Sequence, residues 1–373
     1  MAPAIDEEPA GATFPPAATV SGNTATDTPP QAATPAATAA PGATIGAEAA
    51  PSIYIRSGSR ITAVGAARPQ LIELQRGTEP SGVGAITTAP DGSSIAFTEN
   101  SPGRIGLGLM DLRTSEQQFV ADVLFGAAFS PDGQSVAYTV VTQSSSQLIA
   151  HDFGGGTPRV LQQGGGSRIL RPIAWTPAGI LAEEIIMATD APPQNLVLID
   201  PQAGAPRMLR AESHVQAESA PDGARVALVT GFVGMGVPGE AGLALVEVPG
   251  GGETELLAPR TGRIPFVRLS PDSSTIVYSS ASSSEAPATL LHLIGADGSG
   301  GRTLDLGEAG LSGTLRDAVW RDDATLLVLA DDGAGKLRLY ELAAGDFSAG
   351  GLSEVGEFEQ ASPNEQAQIL VAR

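Results

Sequence analysis

The sequence predicts an all-β protein folded as a β-propeller of four-stranded blades, with seven blades the expected number and six or eight compatible with the spacing. Three observations carry this: a strand–turn–strand unit that recurs, a near-constant interval between its copies, and a composition suited to short strands. The unit is clearest at Phe129–Thr139, FSPDGQSVAYT. There Pro131 presets φ for the second position of a tight turn, Asp132 can accept from nearby backbone N–H groups, and Gly133 tolerates φ > 0. The run Val136-Ala137-Tyr138 that follows has no polar alternation, as expected of a strand covered on both faces.

Clear copies are APDGSSIAF from Ala89, SPDGQSVAY from Ser130, APDGARVAL from Ala220 and SPDSSTIVY from Ser270. Weaker ones are WTPAGIL from Trp175, WRDDATLLV from Trp320 and SPNEQAQILV from Ser362. Aligned at positions 90, 131, 177, 221, 271, 321 and 363, they are separated by 41, 46, 44, 50, 50 and 42 residues. A repeat of about 40 to 50 residues made of short strands is the interval of a propeller blade. The 46 glycines, 29 prolines and only 16 aromatic residues agree, because long helices would need fewer breakers.

Taken in order, residues 1–51 are almost wholly Ala, Thr, Pro and Gly with a few acids. They are expected to form a disordered tail or tether, too poor in large apolar groups to offset the entropy of ordering. The propeller is expected over residues 52–373. Its first strands, SIYIRS, RITAV and PQLIELQ, have no Pro-Asp turn before them. The last copy, from Ser362, has nothing after it. The ring is therefore expected to close by C-terminal strands completing the N-terminal blade, split as one plus three or two plus two. Between these ends the outer hairpins repeat an apolar pair, a Gly-rich turn, then Arg-Leu, as in LVLIDPQAGAPRML from Leu196. Phe129 and Trp175, just before their turns, are expected to wedge between sheets.

These units resemble the TolB-like, WD-repeat-like β-propeller family, whose blade type is also that of the prolyl oligopeptidase propeller domain. The resemblance covers residues from about 52 to the C-terminus and rests on turn and core residues. It implies a binding scaffold at the cell envelope, periplasmic or at the cell surface, that recognises a protein or peptide partner without catalysis. TolB itself carries an additional N-terminal α/β domain where this chain has the Ala/Thr/Pro spacer, which separates it from a Tol-system role. An export signal or lipid-anchoring cysteine upstream of Met1 is expected to place the protein there; a cytoplasmic protein with a disordered tail is the alternative.

Charge and motifs exclude several functions. The formal charge is -20 and Lys336 is the single lysine among 21 basic residues, so nucleic acid and anionic lipid would both be repelled. Cysteine is absent, which removes disulfides, thiolate nucleophiles and cysteine metal sites. No segment reaches 18 consecutive apolar residues. Gly234–Gly239, GMGVPG, matches G-x-G-x-x-G, but Pro238 breaks the helix a dinucleotide would need and the repeat places it in a loop. RDDAT from Arg321 and ADDGAGK from Ala330 lack the alternating carboxylates and closing Glu of a calcium loop, and read as turn acids. His151 and His292 fall in equivalent third strands. Neither a G-x-S-x-G elbow nor H-E-x-x-H occurs, so no catalytic residue, cofactor or metal is expected and the protein is taken as monomeric.

One constellation is a candidate site. Residues five to eight places before the aligned prolines lead into the innermost strands and are expected to ring one mouth of the central channel. They are Arg171, His214, Gln216, Arg263 and Arg316, with Glu357 opposite. Three arginines together would make a positive focus for a carboxylate or acidic peptide. The competing expectation is that each pairs with a neighbouring acid. A lyase- or lactonase-like propeller enzyme, or a small-ligand or metal binder acting at the channel, is the alternative function.

Overall fold

The structure is a computed structural model and describes residues 53–371, apart from 65–70, 75–81, 102–103, 113, 123–124, 143, 154–156, 188–193, 203–204, 212–213, 233–238, 284–285, 312 and 361–366. The tail expected over residues 1–51 and most of GMGVPG lie outside the described residues.

Seven four-stranded antiparallel sheets form the ring. The first holds β1 (Ile53–Ser57), β2 (Arg60–Ala63) and β3 (Leu71–Glu73); the second β4 (Gly82–Thr88), β5 (Ser94–Ser101), β6 (Arg104–Asp111) and β7 (Gln117–Asp122). The third holds β8 (Phe125–Phe129), β9 (Ser135–Val141), β10 (Ser145–Asp152) and β11 (Arg159–Gly165). The fourth holds β12 (Arg168–Thr176), β13 (Gly179–Ile186), β14 (Gln194–Ile199) and β15 (Arg207–Arg210). The fifth holds β16 (His214–Ser219), β17 (Arg225–Phe232), β18 (Glu240–Glu247) and β19 (Glu253–Thr261). The sixth holds β20 (Val267–Leu269), β21 (Thr275–Ser280), β22 (Leu290–Gly295) and β23 (Arg302–Asp305). The seventh holds β24 (Leu315–Trp320), β25 (Thr325–Asp331), β26 (Lys336–Ala343) and β27 (Leu352–Glu359). The last strand, β28 (Ala367–Val371), pairs with β1, Ile55 opposite Ile369, so the first blade reads β28-β1-β2-β3. Closure is therefore one strand plus three.

This corrects the repeat alignment at its end. Six Pro-Asp-type turns join the innermost strand to the second strand, in blades two to seven. The strand after Ser362 is instead an innermost strand, so that copy is not a seventh equivalent turn.

Turn chemistry explains five of the six. Gly92, Gly133 and Gly223 take φ of 64°, 70° and 70°, and each donates its N–H to the residue three before, Ala89, Ser130 and Ala220. Ser273 takes the same place at φ 60°. The aspartates accept the N–H two residues on: Asp132 from Gln134 at 3.0 Å, Asp222 from Ala224 at 2.8 Å, Asp272 from Ser274 at 3.0 Å. In blade seven Arg321 replaces proline, yet Asp322 still accepts from Ala324 at 2.9 Å.

Burial explains the ring. Second strands project alternate side chains into two different interfaces: Val136 and Tyr138 pack against blade two, Ala137 against blade four. Among the described residues, seven clusters of buried side chains are each shared by two consecutive blades, including one that joins Leu327, Leu329, Leu337 and Leu339 of blade seven to Ile55 and Ile369 of blade one. Among the described residues no cluster lies within a single blade, so each blade hides its apolar faces against its neighbours. Phe129 is buried between blades two and three as expected, whereas Trp175 is only partly buried against the cluster between blades three and four. At the rim, the arginines that open outer strands reach the next blade: Arg159 donates to the carbonyl of Pro201 at 2.7 Å, Arg207 to that of Pro249, and Arg302 to that of Gly345 at 3.3 Å.

Candidate functional site

In blades two to seven the chain enters by the innermost strand, and β28 supplies that strand in blade one; in blades two to seven these strands line the axis in one sense, starting at one mouth and ending at the turns of the other. They touch one another around a closed circuit. Five of them carry a β-bulge, where the register against the second strand shifts: between Val83 and Ile86, Phe125 and Ala127, Pro172 and Ala174, His214 and Gln216, and Leu315 and Asp317. A bulge leaves one residue unpaired and re-aims its neighbours. At Gly126, φ is 62° and a Cβ would lie 2.6 Å from the carbonyl oxygen of Pro172 and 2.9 Å from Cγ of Arg171, so only glycine lets the bulge of blade three close on blade four.

The channel encloses about 1140 Å³ and is lined from all seven blades. Its wall mixes apolar groups (Ile173, Ile264, Val319, Ile369) with Thr87, Gln216, Gln368 and charged residues.

Three of the six candidate residues meet there: Arg171, Gln216 and Arg263 all line the channel. His214 opens β16, and its side chain lies outside the described residues. Arg316 is displaced: it occupies the bulge of β24 and turns to Asp331, Nη2 to Oδ2 2.5 Å. Glu357 is not opposite the arginines. It lies on β27, the outermost strand of blade seven, where it pairs with Lys336 and, at 3.4 Å, with Arg338. Its place was inferred from the turn-like copy at Ser362, which is not a blade turn.

The expected focus of three arginines does not form, because acids compensate two of them. Arg171 pairs with Glu183, its direct cross-strand neighbour, whose side chain is fully buried. Arg263 differs. Its backbone is held in a bridge to Ala281, its Nη2 donates to the carbonyl of Ala286 at 3.0 Å, and no carboxylate reaches it among the described residues.

A second network was missed from sequence. Arg268 of blade six lines the channel and spans its neighbours: Nη1 lies 3.5 Å from Glu218 of blade five and Nη2 3.1 Å from Asp317 of blade seven. Burial alone would lower the pKa of Arg268, but Glu218 and Asp317 outweigh it and hold the guanidinium above its ordinary value. Asp317 also accepts the N–H of Ile369 in the closing strand at 3.0 Å. The signal was available: Glu218 and Arg268 both stand three places before their turn prolines, Pro221 and Pro271, with opposite charge.

Elsewhere, the Asp-rich pieces behave as turns, Asp331 accepting from Gly333 and Asp332 from Ala334 and Lys336. Among the described residues no three His, Asp or Glu side chains converge as a metal-binding group, and no helix is long and apolar enough to cross a membrane.

No family model and no curated protein matches the chain. Solved structures do. A prolyl endopeptidase is 10% identical over 87% of this chain and 51% of its own, with a TM-score of 0.57. Oligogalacturonate lyase of Vibrio parahaemolyticus is 14% identical over 78% and 88%, TM-score 0.54. TolB of Acinetobacter baumannii is 17% identical over 66% of this chain and 61% of its own, TM-score 0.45. The chain thus spans about half to two thirds of the TolB and endopeptidase chains. At these identities the likeness is one of fold, and the fold it shows is the β-propeller.

Proposed function

We propose that this propeller is a non-catalytic binding module of the cell envelope that holds a segment of a protein or peptide partner in its central channel. One observation carries the reading: the channel is large, and four of the six charged side chains in its wall, Arg171 with Glu183 and Arg268 with Glu218, are engaged with one another. Its volume, about 1140 Å³, lies at or above the roughly 300–1,000 Å³ typical of small-molecule pockets. Arg171–Glu183 and Glu218–Arg268–Asp317 act as struts between strands and blades, a use that keeps those groups from proton transfer. The remaining wall, apolar side chains with threonine and glutamine between them, suits the alternating polar and apolar surface of a peptide. Export and tethering through the Ala/Thr/Pro spacer belong to the same reading.

The test is photo-crosslinking in cells with a benzophenone amino acid at Gln368 or Thr87 in the channel, or at Val160 on the outer strand of blade three, which is 48% exposed. A discrete adduct with an envelope protein from the channel positions and none from Val160 is expected. Adducts from Val160 alone, or stoichiometric metal in the purified protein with turnover of a small substrate, would overturn it in favour of an outer docking face or a lyase- or lactonase-like enzyme.

A further inference from the structure

The binding reading leaves open what chemistry the channel selects, and one arginine narrows it. Of the three arginines in the wall, Arg171 and Arg268 are matched by carboxylates, and Arg263 is not. The Arg263 backbone is fixed on both sides, its N–H donating to the carbonyl of Ala281 and its own carbonyl accepting from the Ala281 N–H, each at 3.0 Å. The guanidinium is steadied by Ala286, while its Nε is buried with no partner. A guanidinium that is pre-positioned and short of acceptors is the condition under which an incoming anion gains most. Blade five brings Gln216 to the same channel from the adjacent innermost strand, directly after its bulge, and its amide makes no hydrogen bond among the described residues. Ile264 and Pro265 follow Arg263 in the wall and offer an apolar seat beside the charge.

We infer that Arg263 and Gln216 form a subsite for one carboxylate, and that the group it takes is the free α-carboxylate of an otherwise uncharged or basic peptide. The inference rests on the binding reading and specifies its ligand. Charge counting selects the class. One uncompensated guanidinium balances one negative charge, and Arg171 and Arg268 are already matched by Glu183 and Glu218 while Asp222 stands in the same wall, so the second charge of a dianion such as phosphate finds no cation. The net charge of -20 likewise opposes approach of an acidic run of side chains, whereas a single chain terminus brings one charge with an apolar residue attached.

The experiment titrates the full chain with N-acetyl-leucine, N-acetyl-leucinamide, N-acetyl-aspartic acid α-amide and inorganic phosphate. It follows the Arg263 Nε–H signal by NMR, identified by its absence in Arg263→Gln. N-acetyl-leucine is expected to shift that signal saturably, to bind about tenfold or more tightly than its amide, and to lose this advantage in Arg263→Gln. Gln216→Ala is expected to weaken the acid several-fold while leaving the amide unchanged, and it serves as the test should Arg263→Gln not fold. Equal binding of acid and amide, unaltered acid binding in the variants, or tighter binding of phosphate or the aspartate derivative would overturn the assignment. Channel crosslinks that persist while no acid binds would remove only this subsite; acid binding without channel crosslinks would remove the partner reading instead.

Discussion

Nη2 of Arg268 donates to Oδ1 of Asp317 at 3.1 Å across the boundary between blades six and seven, and the other oxygen of the same carboxylate accepts the N–H of Ile369 at 3.0 Å. One buried side chain thereby ties the sixth and seventh blades to the strand that closes the ring. Asp317 also accepts from the N–H of Ala318, so both oxygens of its carboxylate are engaged. Asp317→Ala is expected to cost about 3–5 kcal/mol, the range for breaking a buried pair and leaving its partner uncompensated. Asp317→Asn, which keeps a carbonyl acceptor but drops the charge, should cost less. Urea denaturation measures both. Amide exchange at Ile369 should accelerate in the alanine variant, and unchanged protection there would show that Asp317 does not hold the closing strand.

The inter-strand turns of the last three blades are linked as a belt. Ser273 Oγ donates to Asp222 at 2.8 Å, Arg225 to the carbonyl of Ser273 at 2.9 Å, and the N–H of Asp272 to Asp323 at 3.0 Å. Between blades four and five the turns meet by close approach instead. At Gly223, φ 70°, an added Cβ would fall 2.6 Å from Cβ of Thr176, whereas at Gly333, φ 71°, it would meet nothing within 4 Å. Gly333→Ala should therefore cost only the left-handed backbone term, about 1–2 kcal/mol. Gly223→Ala should cost about 1–3 kcal/mol more through overpacking. Equal destabilisation of the two in denaturant would mean that the turns of blades four and five do not bear on each other.

Phe129 offers a test of where stability resides. It is 5% exposed, packs between blades two and three, and meets Phe153 with ring centroids 5.9 Å apart. Phe129→Ala is expected to cost about 3–5 kcal/mol. Phe153→Ala, at a side chain 37% exposed, should cost about 1 kcal/mol or less. The comparison is made by thermal or chemical unfolding of the two variants.

What was legible in the residues, and what was not, follows from which physics is local. The six turns could be read because Pro, Asp and Gly, of which each turn keeps at least one, meet backbone requirements within four residues. The copy at Ser362 misled because innermost and second strands are both covered on two faces: AQILV and SVAYT carry the same apolar run, and periodicity cannot tell which strand it is. Glu357 inherited that error. Arg316 was misplaced for another reason, since the bulge at its own position turns it to Asp331, and a one-residue register shift leaves no compositional mark. Arg171, Gln216 and Arg263 were placed in the channel because their segments lead into innermost strands that run in the expected sense. The Glu218–Arg268–Asp317 network joins residues about 50 positions apart, and only a comparison of the same offset in successive repeats would have shown it.

His292 should give the fold a pH dependence in the neutral range. Its ring stacks on Tyr278 at 4.6 Å between centroids, Nε2 lies 2.7 Å from Ser280 Oγ, and Nδ1 lies 2.9 Å from Thr303 Oγ1. Burial, and then the positive charge of Arg260, hold its pKa below the ordinary 6.5. The unfolded chain therefore binds this proton more readily than the folded one, and stability rises with pH across the interval. The contribution is fully present above pH 6.5 and is lost as the pH falls from there through the folded value. The turn carboxylates titrate elsewhere: hydrogen bonds from Ser130 and Ser270 hold Asp132 and Asp272 below their ordinary 3.8, so their contribution is present above that value and is lost only at lower pH. Unfolding free energies measured from pH 7.5 to 5 should decline in the wild type and flatten in His292→Gln. Arg260→Gln, by removing a neighbouring cation, should move the NMR titration midpoint of His292 upward towards 6.5. A midpoint at or above 6.5 in the wild type would mean that the imidazole is solvated, and the decline below neutral pH would then need another source.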